Sequence, residues 1–159
     1  MHFPQVEGEN LAGSRLSYPR DFSAARTIAL VAFDLKSRAD LETWVPFIDR
    51  FASSGVARGR LFPVLSRTLR MMQGMIVSTM RKTAPTAQAR EATVPIFVDL
   101  DEFCAALDIA DRSQIHTFVI EPDGAISAHE VGPFDDRAAS AIELHLFKDE
   151  PSLLDGGAA

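Results

Sequence analysis

Apolar and polar residues alternate along this chain in blocks that predict strands separated by helices. Residues 28–33 are apolar without interruption, which is typical of a strand buried on both faces of a sheet. A polar turn follows, and apolar residues then recur at Leu41, Trp44 and Ile48, the spacing of a helix that buries one face. The stretch 27–50 therefore predicts a central strand that runs directly into a helix.

Similar patterns predict the remaining elements. Residues 3–22 contain two short apolar alternations that favour a hairpin, and the Glu-Pro-Asp-Gly sequence at 121–124 indicates a turn between two later strands. Residues 83–92 are expected to form a loop and 148–159 a frayed tail. The predicted strands are 27–33, 59–65, 94–100, 114–120 and 125–131, and the predicted helices are 39–53, 66–82, 101–109 and 135–147.

This order of elements predicts an α/β fold. Parallel strands need helical crossovers, so the sheet is expected to be mixed, with helices on both faces and an antiparallel edge after the turn at 121–124. A chain of 159 residues is long enough to bury a core without disulfides or metals. We therefore expect one domain over 1–159, with its core within about 3–147.

The predicted helix 66–82 is rich in methionine. Ser66 is suited to its N-cap, whereas Gly74 weakens the prediction of one unbroken helix. Apolar residues recur there at helical spacing, namely Leu69, Met72, Met75, Ile76 and Met80. Such a stripe most often packs as adaptable core, and the alternative is a surface that binds varied partners.

Charge is unevenly distributed along the chain. The net charge is −6, which argues against nucleic acid as the main partner. Residues 56–90, however, carry seven basic side chains and no acidic ones. The ordinary interpretation is a solvated basic face, and the alternative is a surface that binds an acidic protein partner or an anionic ligand.

Cysteine content and hydropathy suggest a compartment. Cys104 is the single cysteine, so an intramolecular disulfide cannot form, which suits a reducing environment. The sequence shows no secretory signal and no apolar run long enough to span a bilayer. We therefore expect a cytoplasmic protein without an integral membrane segment. The oligomeric state is not predicted.

Four segments together resemble the thioredoxin-like superfamily, on its peroxiredoxin and membrane-tethered thioredoxin side. They are VEGENLAGSRLSYPRDF, TIALVAF, VPIFVDLDEFCAALDI, and the strand IHTFVI followed by EPDG. The resemblance covers about residues 3–147. It implies a three-layer sandwich: a mixed central sheet with helices on both faces and an N-terminal β-hairpin.

The departures from this family concern its redox site. Redox-active members carry Cys-x-x-Cys or a peroxidatic cysteine just after the strand that matches 28–33, but here those positions fall near Arg38 and Leu41. Ile115 stands where the family places a cis-proline. The chain is similar to a cysteine-poor branch that includes the mitochondrial ATP synthase assembly factor. This resemblance implies a redox-inactive binding or assembly protein without a cofactor.

Seven residues around the expected site are candidates for binding a partner. The turn after the central strand alternates in charge, and a helix N-terminus beside basic side chains can bind an anion or a carboxylate, although a solvated turn is the commoner arrangement. Trp44 is expected to be buried, with an exposed partner anchor as the alternative. The candidates are Asp34, Lys36, Ser37, Arg38, Trp44, Ile115 and His116.

Cys104 and the histidines complete the candidate chemistry. Cys104 lies where some atypical peroxiredoxins place a resolving cysteine, so a thiol oxidoreductase that uses Cys104 is the alternative function, although a buried structural cysteine is more common. His116 and His129 could face each other across the hairpin. Two imidazoles without further ligands do not make a zinc site, and no metal is predicted.

Overall fold

The structure is a computed structural model that describes residues 1–22 and 25–148, so the predicted tail from 149 onward lies outside the described residues. The strands are β1 Val6–Glu9, β2 Arg15–Tyr18, β3 Arg26–Ala32, β4 Ala57–Ser66, β5 Ile96–Val98, β6 His116–Ile120 and β7 Ile126–Val131. The α-helices are α1 Arg38–Ser54, α2 Gln73–Thr83, α3 Ala87–Ala92, α4 Leu100–Ala106 and α5 Asp136–Leu146. Short 3-10 helices precede α1 and α2, at Leu35–Ser37 and Arg67–Met72.

The central sheet has five strands in the order β5-β4-β3-β6-β7. Strand β3 runs parallel to β4 and antiparallel to β6, and β6 pairs antiparallel with β7. Strands β1 and β2 form a separate antiparallel hairpin. The predicted mixed sheet, its antiparallel edge and the N-terminal hairpin are therefore confirmed.

Alternate residues of β3 serve the two layers of the core. Ala29 and Val31 face a cluster formed with the hairpin and α4, while Ile28 and Leu30 face a cluster formed with α1 and α5. All four are fully buried, as expected for the central strand of a sheet covered on both faces.

The predicted loop at 83–92 is wrong in its second half, where α3 lies. Thr86 caps this helix by accepting a hydrogen bond from the Ala89 amide (3.0 Å), and the residues that follow are strong helix formers. The predicted strand 94–100 is correspondingly too long. Strand β5 ends at Val98, because Asp99 caps α4 by accepting from the Glu102 amide (3.0 Å).

The expectation that the methionine stripe belongs to the core is also wrong. Ser66 caps the segment as predicted, but its first turns form a 3-10 helix, and α2 begins only at Gln73. Within α2, Val77 is the fully buried side chain. The side chains of Met71, Met72 and Met75 are 99%, 45% and 61% exposed. Helical spacing identified the helix correctly but did not identify its buried face.

Candidate functional site

The turn between β3 and α1 is organised by Asp34. Its carboxylate accepts a hydrogen bond from the Ser37 amide (3.1 Å), and its carbonyl accepts from the same amide at 3.3 Å. Ser37 precedes α1, and its side chain does not cap the helix. Asp40 lies in the first turn of α1, where a negative charge is favourable next to the helix N-terminus.

A second loop, which precedes β6, meets this turn. The Ser37 hydroxyl lies 3.3 Å from the Ser113 carbonyl oxygen and 3.4 Å from Asp34 Oδ1, and it can donate to either. Within the loop, Asp111 Oδ1 accepts from the Ser113 amide (2.9 Å) and hydroxyl (2.6 Å). These two donors hold the pKa of Asp111 below its ordinary value.

His116 joins the same loop to strand β7. Its Nε2 lies 2.7 Å from the Asp111 carbonyl oxygen, and its Nδ1 lies 2.9 Å from Nε2 of His129. A carbonyl only accepts, so Nε2 of His116 carries the proton and Nδ1 accepts from His129. The two rings can share one extra proton, but two extra protons would leave two N–H groups facing each other.

Trp44 and Ile115 lie beneath the surface of the site and hold its elements together through Gly132. The indole Nε1 of Trp44 donates to the Gly132 carbonyl (3.0 Å), and the Gly132 amide donates to the Ile115 carbonyl (2.9 Å). Trp44 also packs edge-on against Phe47 and Phe134. Through these contacts α1 is held to the end of β7 and to the loop before β6.

Burial divides the seven predicted binding residues into two groups. Four of them have little or no surface and position the site: Ser37, Trp44, Ile115 and His116, at 2%, 0%, 0% and 1% exposure. Three are exposed: Asp34, Lys36 and Arg38. The burial of Trp44 agrees with its expected position, and the exposed group supplies the side chains that a partner could contact directly.

An apolar groove of about 340 Å³ lies beside the exposed residues. One wall comes from the turn and α1, and the other from the end of β4, α2 and the segment that follows it. Asp34, Arg38 and Glu42 lie among its lining residues, and Arg38 pairs with Glu42 at 3.1 Å. The groove is large enough for one or two apolar side chains. No local pattern in the sequence predicts this groove, because its walls come from segments that are far apart in the chain.

Cys104 lies on the other face of the sheet. It belongs to α4, is 6% exposed, and packs in the cluster that contains the hairpin rather than the one that contains α1. Arg112 Nε donates to its sulfur at 3.4 Å, and the same guanidinium pairs with Asp101. Both contacts raise the pKa of Arg112, the one with Cys104 more strongly. The sequence did not single out Arg112.

The described residues contain neither a metal-binding cluster nor a helix that could span a membrane. Over residues 1–22 and 25–148, no group of three or more His, Cys, Asp and Glu side chains is arranged to hold a metal ion. In the same ranges, no helix has the length and apolar character needed to cross a bilayer.

The histidine pair predicts a dependence of stability on pH. Burial and the neighbouring His116 lower the pKa of His129 in the folded protein, and Asp108 and Glu130 oppose this only in part. Below about pH 6.5 the unfolded chain then binds more protons than the folded one, so the free energy of unfolding should fall as the pH drops. Urea denaturation between about pH 7.5 and 5.5 measures this loss.

Two variants test whether His129 causes this fall in the free energy of unfolding. His129→Gln should flatten the pH dependence, whereas His145→Gln, on α5, should leave it unchanged. An equally steep loss in His129→Gln would show that another group causes it.

Solved structures of other proteins share this architecture. A putative thiol:disulfide interchange protein DsbE from Chlorobium tepidum is 12% identical with a TM-score of 0.57, and the match covers 92% of this chain and 94% of that one. Yeast Sco1 with copper bound is 12% identical with a TM-score of 0.59, and the match covers 97% of both chains. BsSco, a member of the Sco family of cytochrome c oxidase assembly proteins, is 11% identical with a TM-score of 0.60, and the match covers 91% and 93%.

Sequence comparison adds no narrower family. No protein-family model matches the chain, and no curated protein sequence matches it. The structural likeness extends over nearly the whole chain, including the residues of the five-stranded sheet described above. The chain therefore has the thioredoxin-like fold.

Proposed function

We propose that this chain is a redox-inactive thioredoxin-like protein that binds a protein partner and acts as an assembly factor. The observation that carries the proposal is the turn after β3. The resemblance places the sulfur positions of redox-active members near Arg38 and Leu41 in this turn, neither of which can form a thiolate, and the single cysteine is buried on the other face of the sheet. A dithiol reaction needs two thiols in reach of each other, which this chain does not have.

The fold neighbours support a binding role without naming the partner. They include a protein described as a thiol:disulfide interchange protein and a member of a family of assembly proteins. The fold is therefore compatible with thiol:disulfide exchange and with a role in assembly. The absence of cysteine from the turn after β3 favours the role in assembly. From the sequence resemblance we propose that the chain belongs with the cysteine-poor branch that includes the mitochondrial ATP synthase assembly factor.

The geometry suggests how a partner would bind at this turn. Lys36 and Arg38 can pair with a carboxylate, and the apolar groove beside them can take an apolar side chain. The buried residues below, Trp44 and His116 among them, hold the two loops in a fixed position. A preformed site of this kind loses little conformational entropy when a partner binds.

Redox assays and affinity capture test this proposal. The recombinant protein should neither reduce insulin disulfides nor consume peroxide with added thiol, while a thioredoxin run beside it does. Capture from a native lysate should recover the same partner with the wild type and with Cys104→Ser, and less of it with Arg38→Glu. Turnover in either redox assay, or a partner lost with Cys104→Ser, would overturn the proposal.

A thiol oxidoreductase that uses Cys104 is the second candidate, and the contact between Arg112 and its sulfur favours it. A guanidinium next to a sulfur stabilises a thiolate, which could attack a peroxide and become a sulfenic acid that an external thiol reduces. The burial of Cys104 argues against this reaction, because the sulfur must contact the peroxide.

The alkylation rate of Cys104 distinguishes the two candidates. We expect the native thiol to react with iodoacetamide about tenfold or more slowly than the thiol of the urea-unfolded chain, since Cys104 is 6% exposed and would react through local opening. Mass spectrometry of timed samples measures both rates. A native rate above the unfolded rate, abolished in Arg112→Gln, would instead support the oxidoreductase.

A further inference from the structure

The methionines of the segment Arg67–Thr83 form an exposed apolar surface. Met71 is 99% exposed, Met75 61%, Met72 45% and Leu69 37%. They lie close together along the chain, and Leu69, Met72 and Met75 recur every three residues, the spacing that places side chains on one side of a 3-10 helix and near one another on an α-helix. Exposure of such apolar side chains to water is unfavourable, and flexible thioethers adapt to the shape of an apolar partner. We call Leu69, Met71, Met72 and Met75 the methionine surface.

The segment is held rigidly on the opposite side. Val77 packs with Leu11 and Ala84 in a small cluster of its own. Arg70 donates to the Phe97 carbonyl (3.2 Å), and Arg81 donates to the Leu11 carbonyl (2.9 Å). The methionine surface is therefore the outer face of an anchored segment. It is not a core face that a loosely packed segment leaves uncovered.

Positive charge lies along the same stretch of chain as the methionine surface. Arg67, Arg70, Arg81 and Lys82 belong to the same segment, and all four are exposed. In the described part of the chain, Arg67 is the member of this set with a carboxylate partner, Asp99 at 3.6 Å. Hydrogen bonds to carbonyl groups orient Arg70 and Arg81 but do not neutralise them. The segment therefore combines exposed apolar side chains with net positive charge.

Carboxylates of the hairpin lie on the far side of this segment. Glu7 and Glu9 line a cleft with Arg70 and Gln73, and Arg15 and Arg20 line the same cleft, where Arg20 pairs with Asp21 at 3.3 Å. Arg15 therefore offsets part of the negative charge that Arg70 meets there, and Lys82 does not line this cleft.

We propose that the methionine surface binds an acidic amphipathic helix of a partner protein. This inference rests on the proposed function and names the chemistry of the partner. Apolar side chains of the bound helix would cover the thioethers, and its carboxylates would pair with the arginines of the same segment and with Lys82. A protein fits better than a membrane, because the segment lacks the aromatic side chains that anchor interfacial helices in lipid.

Methionine methyl groups report directly on this contact. The chain has five methionines, so a protein labelled with carbon-13 at the methionine methyls gives one resolved signal per residue. The probe is a synthetic acidic helix of about 15 residues with leucines on one face and glutamates elsewhere. We expect its addition to shift the Met71, Met72 and Met75 signals and to leave Met1 unchanged. Raising the salt from about 0.05 to about 0.3 M should weaken the binding.

Three controls make the test specific. A peptide with lysine in place of each glutamate should not bind. Met71→Glu/Met75→Glu should weaken binding of the acidic peptide about tenfold or more, whereas Leu144→Glu, an equally exposed apolar position on α5 (73%), should not. Vesicles of anionic lipid should leave the methionine signals unshifted.

Each contrary result has a distinct meaning. Absence of peptide binding, binding that survives Met71→Glu/Met75→Glu, or shifts caused only by vesicles would overturn the inference. If Arg38→Glu alone removes a captured partner, the partner binds at the turn after β3, and the proposed function stands without the methionine surface. Thiol turnover in the redox assays would instead remove the proposed function.

Discussion

Replacing Trp44 with alanine should lower the free energy of unfolding by about 3–5 kcal/mol, the usual cost of removing a large buried aromatic side chain. Trp44 has no exposed surface and packs against Phe47 and Phe134. The substitution also leaves the Gly132 carbonyl without its 3.0 Å donor. Urea denaturation followed by far-ultraviolet circular dichroism measures the loss, because the variant has no tryptophan fluorescence.

Trp44→Phe separates packing from hydrogen bonding. It keeps most of the apolar surface but removes the indole N–H, so it should cost about 1–3 kcal/mol, the penalty of an unsatisfied buried carbonyl. Leu144→Ala on the exposed face of α5 is a control that should change stability little. Equal losses in both Trp44 variants would mean that the hydrogen bond, rather than ring packing, accounts for the effect.

The sequence predicted the sheet because each strand carries its own signal. The apolar run of β3 and the turn at 121–124 are local features, and the structure places both as predicted. Asp135 likewise caps α5, accepting from the Ala138 amide at 2.7 Å. Helix α3 was missed because a threonine and a proline precede it, and these residues are as typical of loops as of helix starts.

The site was harder to predict because long-range contacts build it. Ser37 meets Ser113 across 76 residues, and Trp44 meets Gly132 across 88. The sequence predicted that His116 and His129 could face each other, because the two residues lie on the two strands of one hairpin. Exposure of the methionines was the less favoured of two interpretations, since helical spacing is the same whether a stripe faces the core or solvent.

Gly59 shows how closely α1 packs on the sheet. It lies in β4 opposite Ile28, and a Cβ added there would fall well inside van der Waals contact of the Ile48 Cγ2 methyl on α1. That methyl is attached directly to Cβ, so it moves away only if the helix moves or its χ1 angle changes. Gly59→Ala should therefore cost about 1–3 kcal/mol through overpacking.

A second substitution tests this cause. Ile48→Leu keeps the volume but moves the branch from Cβ to Cγ, so alone it should cost less than about 1.5 kcal/mol. In the double variant Gly59→Ala/Ile48→Leu much of the loss should be recovered, which gives a coupling energy of about 0.5–3 kcal/mol between neighbours. Urea denaturation of the four proteins measures it. If the two losses simply add, the contact between Gly59 and Ile48 does not limit how closely α1 approaches the sheet. The fixed position of the turn that carries Asp34 and Arg38 then has another origin.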